Sequence, residues 1–146
     1  MSRSLAREDA FKLIFEMEIT SVSANDAIAY LYDTVSKSNE MWAQKFVSAS
    51  NREYIESLVN GVSEKRTELI SKIEPTLKEW TISRISKVNL AILMLAAYEI
   101  YYIDDIPLKV SANEAVQLAK KYAGKDSSSF INGVLGTLIK KAEEEA

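Results

Sequence analysis

The chain of 146 residues contains no cysteine and no histidine. Without cysteine there is no disulfide framework and no thiolate metal site. Without histidine the commonest metal ligand and the commonest general base are both missing. Neither a metal nor a cofactor is expected. Proline and glycine are scarce, at two and four residues, so long helices meet few breaks. Long apolar runs are absent too. The longest, Leu90 to Tyr98, is far short of the roughly 20 residues that span a bilayer, so no membrane partner is expected. The first ten residues, M-S-R-S-L-A-R-E-D-A, carry charges where a signal peptide would be apolar, which points to the cytoplasm. No P-loop, G-x-G-x-x-G or G-x-S-x-G occurs. Asp104 and Asp105 stand next to each other ahead of Pro107 and read as turn residues, not as a catalytic pair. With no constellation of nucleophile, base and orienting group, the expectation is a binding protein and not an enzyme.

What remains is rich in Ala, Leu, Ile, Lys and Glu, the composition of an all-α protein. The length fits one domain with a core that needs no staples. Net charge is −3, which argues against a strong, autonomous nucleic-acid binder. The charge is unevenly spread. Residues 1–80 hold 10 Lys and Arg against 13 Asp and Glu, whereas residues 81–142 hold 8 against 5. The tail, Glu143 to Glu145, then cancels this surplus.

A first helix is expected from about Ser4 to Glu18, with Ala6, Ala10, Leu13, Ile14 and Met17 on one face and Phe11 and Phe15 beside it. Phe15 is either core or a partner contact at the edge of that sector. Arg3 and Arg7 are four apart and share a face. The helix dipole disfavours cations there, so the pair has no evident stabilising role and favours phosphate binding. Ser23 with Asp26 starts a second helix carrying Ala24, Ile28, Leu31, Tyr32 and Val35. Met41, Trp42 and Phe46 suggest a short helical piece. Ser50 and Glu53 form a capping box ahead of a long third helix that carries Ile55, Val59, Val62, Leu69 and Ile73 and ends before Pro75. Gly61, in its middle, is a candidate close-packing point. Trp80 to Ser83 reads as a connector between subdomains of about residues 1–80 and 81–146. Arg84 to Ile103 is apolar nearly all round and should be central, with Ala91, Leu95 and Ala96 buried. Glu99 within it must be paired or at an edge.

Ile106 to Leu138 is the most explicit stretch. Pro107 blocks the preceding helix. Ser111 and Glu114 make a capping box, and Ala112, Ala115, Val116, Ala119, Tyr122 and Ala123 form one face. Lys120 and Lys121 suit the last turn, and Gly124 stops the helix. Asp126 or Ser127 can cap the next helix, whose stripe is Phe130, Ile131, Val134, Leu135, Leu138 and Ile139. Gly133 and Gly136 each cost roughly 1 kcal/mol inside a helix and suggest a close approach by another backbone.

The run P-L-K-V-S-A-N-E-A-V-Q-L-A-K-K-Y-A followed by K-D-S-S-S-F-I-N-G-V-L resembles the C-terminal signature of the NusB transcription antitermination family. V-N-L-A-I-L-M-L-A-A-Y-E-I resembles that family's central helix, and A-R-E-D-A-F-K-L-I-F its first. The resemblance implies two three-helix bundles packed across each other. It implies a factor that binds single-stranded boxA RNA of nascent ribosomal RNA transcripts with NusE, a ribosomal small-subunit protein. In the transcription elongation complex, that assembly helps RNA polymerase resist termination. By resemblance, the RNA surface is Arg3, Arg7, Lys125, Asp126, Ser127 and Phe130, and the NusE surface is Phe15, Glu16 and Asn89. The N-terminal run is often denser in Arg in the family, which raises dependence on the partner here. Many relatives have a carboxylate where this chain has Asn89. Phe130 is either core or a stacking platform, and Asp126 either caps a helix or accepts from a base. Two other classes stay open. One is a helical protein–protein adaptor or homodimer without RNA. The other is a stand-alone relative of the NusB-like domain of RNA cytosine methyltransferases, which the length disfavours because no room remains for a catalytic domain.

Overall fold

The computed structural model describes residues 3–37, 49–78 and 81–145, and among these it is helical with no strand. The segment around Met41, Trp42 and Phe46, and Trp80 itself, lie outside the described residues. The chain divides into two compact units between Glu64 and Lys65, not near Trp80.

Unit 1 comprises α1 (Arg3–Thr20), α2 (Ala24–Lys37) and α3 (Ala49–Glu64), which pack on one another. Helix α1 buries Ala6, Ala10, Leu13 and Ile14 of the stripe its spacing predicts, plus Phe11, while Met17 at the end of that stripe is half-buried. It closes at Ser21, whose φ of 62° turns the chain back while its N–H still reaches the Met17 carbonyl at 2.9 Å. Ser23 then caps α2 as expected, its Oγ accepting from the Asp26 N–H at 3.1 Å. Helix α3 buries Ile55, Leu58, Val59 and Val62. It already includes Ala49 and Ser50, so Ser50 is a helical residue and not the cap of a box with Glu53.

The long third helix expected through Ile73 is broken at Lys65 (φ −100°, ψ 11°), and α4 (Arg66–Ile73) starts anew. Nothing in the local composition marks this break. Glu64, Lys65 and Arg66 are all exposed, so no buried side chain records the change of phase.

Unit 2 contains α4, a 3₁₀ turn at Glu74–Thr76 shaped by Pro75, a second at Ile82–Arg84, and the three longer helices α5 (Lys87–Tyr102), α6 (Leu108–Tyr122) and α7 (Lys125–Glu145). Helix α5 is the core element: Leu90 to Ala97 are all buried, and it packs against α4, α6 and α7. It begins three residues after Arg84, because Ser86 is extended and caps it, accepting from the Asn89 N–H at 3.1 Å. Glu99, only 1 % exposed, is engaged, as an interior carboxylate must be.

Helix α6 begins directly after Pro107, three residues before the expected cap. Ser111 therefore lies inside the helix. It is 1 % exposed, and its hydroxyl has no hydrogen-bond partner, so the capping box with Glu114 is not formed. The proline's extended backbone leads straight into the first turn, which leaves the serine no N-terminal position to occupy. The buried stripe is Ser111, Ala115, Leu118 and Ala119, so only Ala115 and Ala119 of the expected face are fully buried. Gly124 ends the helix as expected. Its φ of +100° suits glycine, and its N–H and that of Ala123 both bond to the Ala119 carbonyl, at 2.9 and 2.8 Å. Helix α7 starts at the next residue, so Asp126 sits in its first turn and neither Asp126 nor Ser127 is its cap. Its stripe of Ile131, Val134, Leu135 and Leu138 is buried, with Phe130 and Ile139 half-buried. Its far end is tied to α4 by a 3.2 Å ion pair between Lys72 and Glu145. Gly133 and Gly136 do not mark a close approach. Both are exposed, and a Cβ added at either would meet nothing within 4 Å.

Candidate nucleic-acid interface

The polar corner of unit 2 forms where the start of α5 meets the start of α7. Asn89, in the first turn of α5, donates from Nδ2 to the Ser127 hydroxyl on α7 at 3.3 Å. Around this bond, Arg84, Ile85, Ser86, Asp126 and Phe130 complete the lining of a cavity of about 290 Å³. The corner is not internally satisfied: the carboxamide oxygen of Asn89 is buried with no hydrogen-bond partner. An orphaned acceptor of this kind costs about 1–3 kcal/mol unless an outside donor reaches it. Phe130, on α7, is half-buried and lines the cavity. Asp126 and Lys125 are exposed in the first turn of α7.

These groups suit a nucleobase and its phosphate. A half-exposed aromatic face stacks on any base. A carboxylate accepts from an exocyclic amino group, and Arg84 and Lys125 can meet a backbone phosphate. Sequence reasoning missed Arg84 and Ser86. The signal for Ser86 was present, since a serine three residues before Asn89 and just ahead of an apolar run is a helix-start pattern. Arg84 carried none, being one cation in a connector. Asn89 was expected on the NusE surface by resemblance, and the fold places it beside Ser127 in this corner.

The two arginines of α1 lie in unit 1 and are differently placed. Arg3 is exposed, with its guanidinium carbon 4.6 Å from the centroid of the Tyr54 ring on α3. Arg7 is only 4 % exposed. It lies 6.0 Å from the same ring, and its Nη2 donates to the Tyr54 hydroxyl at 3.3 Å. The pair therefore has a stabilising role after all, since it joins α1 to α3 through one tyrosine. A similar motif links α3 to α2: Arg52 stands 4.9 Å from the Tyr32 ring, and the Tyr32 hydroxyl donates to Glu56 Oε1 at 3.0 Å. Burial and that bond push the Tyr32 phenol up to about 12.

Phe15 and Glu16 are half-buried on α1, and Phe15 stacks on Phe11 at 6.2 Å between centroids. Nearer the start of the same helix, burial lifts the Asp9 carboxyl to about 6, with Lys12 opposing and Glu8 adding to the shift. The expected residues thus fall into a corner group (Asn89, Lys125, Asp126, Ser127, Phe130), an arginine group (Arg3, Arg7) and an α1 group (Phe15, Glu16). Among the described residues no cluster of three or more acidic, histidine or cysteine side chains is arranged to hold a metal ion. No helix among them is long and apolar enough to cross a membrane.

Comparison with known proteins gives a consistent answer. The sequence pattern of the NusB family matches residues 4–140. The chain is 48 % identical over 145 residues to a transcription antitermination protein NusB of Clostridium acetobutylicum, covering 99 % of this chain and 100 % of that protein. It is 45 % identical over 140 residues to the protein of the same name from Acetivibrio thermocellus, covering 96 % and 90 %. Among solved structures, a complex of antitermination factors NusB and NusE with double-stranded RNA contains a chain of the same fold. Its TM-score is 0.79 at 24 % identity, with 97 % of this chain and 99 % of that chain covered.

Proposed function

The chain belongs to the NusB family, and from that premise we propose that it is an RNA-binding transcription antitermination factor. It binds boxA-type single-stranded RNA on nascent ribosomal RNA transcripts together with NusE, the ribosomal small-subunit protein. Within the transcription elongation complex, in the cytoplasm, this assembly helps RNA polymerase resist termination. The relatives named above support the antitermination role, and the solved complex of NusB and NusE with double-stranded RNA supports RNA and NusE as partners. The observation that carries it on this chain is the corner, an open cavity with a half-exposed phenylalanine, a carboxylate and a buried carbonyl oxygen lacking a donor.

Recognition here requires no chemistry on the RNA. Phe130 stacks on a base, Asp126 accepts from its amino edge, and Lys125 and Arg84 neutralise phosphate. Ser127 fixes the Asn89 carboxamide from the far side. Arg3 contributes a phosphate contact from unit 1, and Arg7 acts through Tyr54, which it holds. Phe15, Glu16 and Asn89 contribute to the NusE surface. Asn89 carries no charge, so this chain does not use an ion pair at that point.

The test is electrophoretic mobility of boxA RNA with the chain alone, with NusE alone and with both. A weak shift by the chain and a clearly tighter one with NusE is the expected result. Binding of NusE with no RNA shift under any condition, by folded protein, would reduce the function to a protein adaptor.

A further inference from the structure

Beside the corner lies a second, larger opening of about 370 Å³, bounded on one side by Leu77 and Lys78 and on the other by α7. Phe130 lines both cavities, so its ring is the wall they share. We propose that this groove is a further subsite for the same RNA, receiving the base next to the one stacked on Phe130. The inference rests on the RNA-binding reading above and extends its path across the other side of the phenylalanine.

Three observations support a planar, anionic guest. The floor is apolar, made by Leu77 and Val134, which are 7 % and 5 % exposed. The volume is at the lower end of the about 300–1,000 Å³ typical of small-ligand sites. Gly133 opens the α7 side: a Cβ there meets nothing within 4 Å, so the missing side chain serves no packing need and leaves the helix surface flat. Charge also fits. Lys78 is exposed on the rim, and among the described residues no carboxylate lines the groove. Thr137 spends its hydroxyl proton on the Gly133 carbonyl at 3.3 Å, so it presents only an acceptor. With so few in-plane donors and acceptors, this subsite accepts purines and pyrimidines alike, in contrast to the corner with Asp126 and Asn89.

The experiment measures fluorescence anisotropy with labelled boxA RNA and with the same RNA lengthened by two nucleotides on the 5′ or the 3′ side. One of the two extensions tightens binding by the parent chain about 5- to 100-fold, the span of one base–aromatic stack. Gly133→Leu fills the groove and loses that gain while keeping its affinity for the unextended RNA. Lys78→Ala loses part of it and lowers the salt slope by about 0.7. Circular dichroism confirms that each variant is folded, and Gly133→Ala serves as a smaller obstruction if the leucine disturbs α7. A gain from extension that survives Gly133→Leu, or no gain from either extension, overturns the subsite while leaving the corner reading intact. Weakened NusE binding by Gly133→Leu with RNA affinity unchanged assigns the groove to protein and also overturns it. Failure of the parent chain to bind even the unextended RNA, with or without NusE, removes the RNA reading and this inference with it.

Discussion

The two basic groups of this protein are built on opposite principles. In unit 1, Arg3 and Arg7 have a ring to lie against, and Arg7 is almost fully buried and gives one donor to Tyr54. In unit 2, the corner residues are left under-used: Phe130 is half-exposed and the Asn89 oxygen is buried without a donor. A satisfied charge holds helices together and has little left to offer a ligand. A half-exposed ring beside an open cavity still has a face to offer. The contrast teaches that an arginine near a helix start can serve packing, a ligand, or both. Pairing has to be inspected first.

The strongest way to break this comparison is Arg7→Ala. Removing a buried, hydrogen-bonded cation leaves Tyr54 without its donor and opens a gap between α1 and α3, so unfolding by urea should become easier by about 2–3 kcal/mol. Unchanged stability combined with weakened RNA binding would turn Arg7 back into a ligand contact and collapse the distinction. Phe130→Ala tests the other side. Binding of boxA RNA should weaken by about 1–3 kcal/mol, with little change in its salt slope, because stacking releases few counterions. A salt slope that falls along with affinity would mean the phenylalanine works by positioning cations.

Smaller effects sharpen the picture. Burial raises the Asp9 carboxyl in unit 1 from 3.8 to about 6. The folded state therefore holds this proton more tightly than the unfolded chain, so the associated stability is complete below about pH 4 and is lost as pH rises through about 6. Asp9→Asn should raise stability by about 1 kcal/mol at pH 8, allowing for partial screening by water, and by almost nothing at pH 4. Equal gains at both pH values would trace the effect to something other than the charge. Gly136→Ala in exposed α7 should add just under about 1 kcal/mol, since the new methyl meets nothing and the helix gains a better former. A loss would restore the idea of a close-packed glycine. Arg3→Ala should cost only about 0.5 kcal/mol of stability, the worth of an exposed cation–ring contact, against the larger loss at Arg7.

Much of the fold was legible because its signals are local. The all-apolar run around Leu90 to Ala97 gave the central helix, Ser23 gave a cap, and Gly124 gave a stop. What escaped was non-local or silent. Arg7 and Tyr54 are 47 residues apart in the chain, and Asn89 and Ser127 are 38 apart, so neither partnership shows in any window of sequence. The break at Lys65 occurs where every side chain is exposed, and hydrophobic periodicity cannot register a change of phase it does not sample. Ser111 misled for a different reason. Its spacing to Glu114 fits a capping box, but Pro107 had already started the helix. Of the site, the chemistry of Asp126, Ser127 and Phe130 came from a family likeness. The structure adds that Asn89 and Arg84 line the same cavity.

Helix α7 carries a consequence for how the net charge of −3 should be understood. Its 21 residues, at about 1.5 Å of rise each, put roughly 30 Å between Lys125 at the corner and Glu145 at the other end. That is about three screening lengths in 0.1 M salt. Glu145 is also held at that end by Lys72. The acidic terminus therefore balances the composition without being felt at the corner. An approaching phosphate responds to Lys125, Arg84 and Asp126 within its own screening radius, and the isoelectric point of the whole chain describes a neighbourhood it never visits.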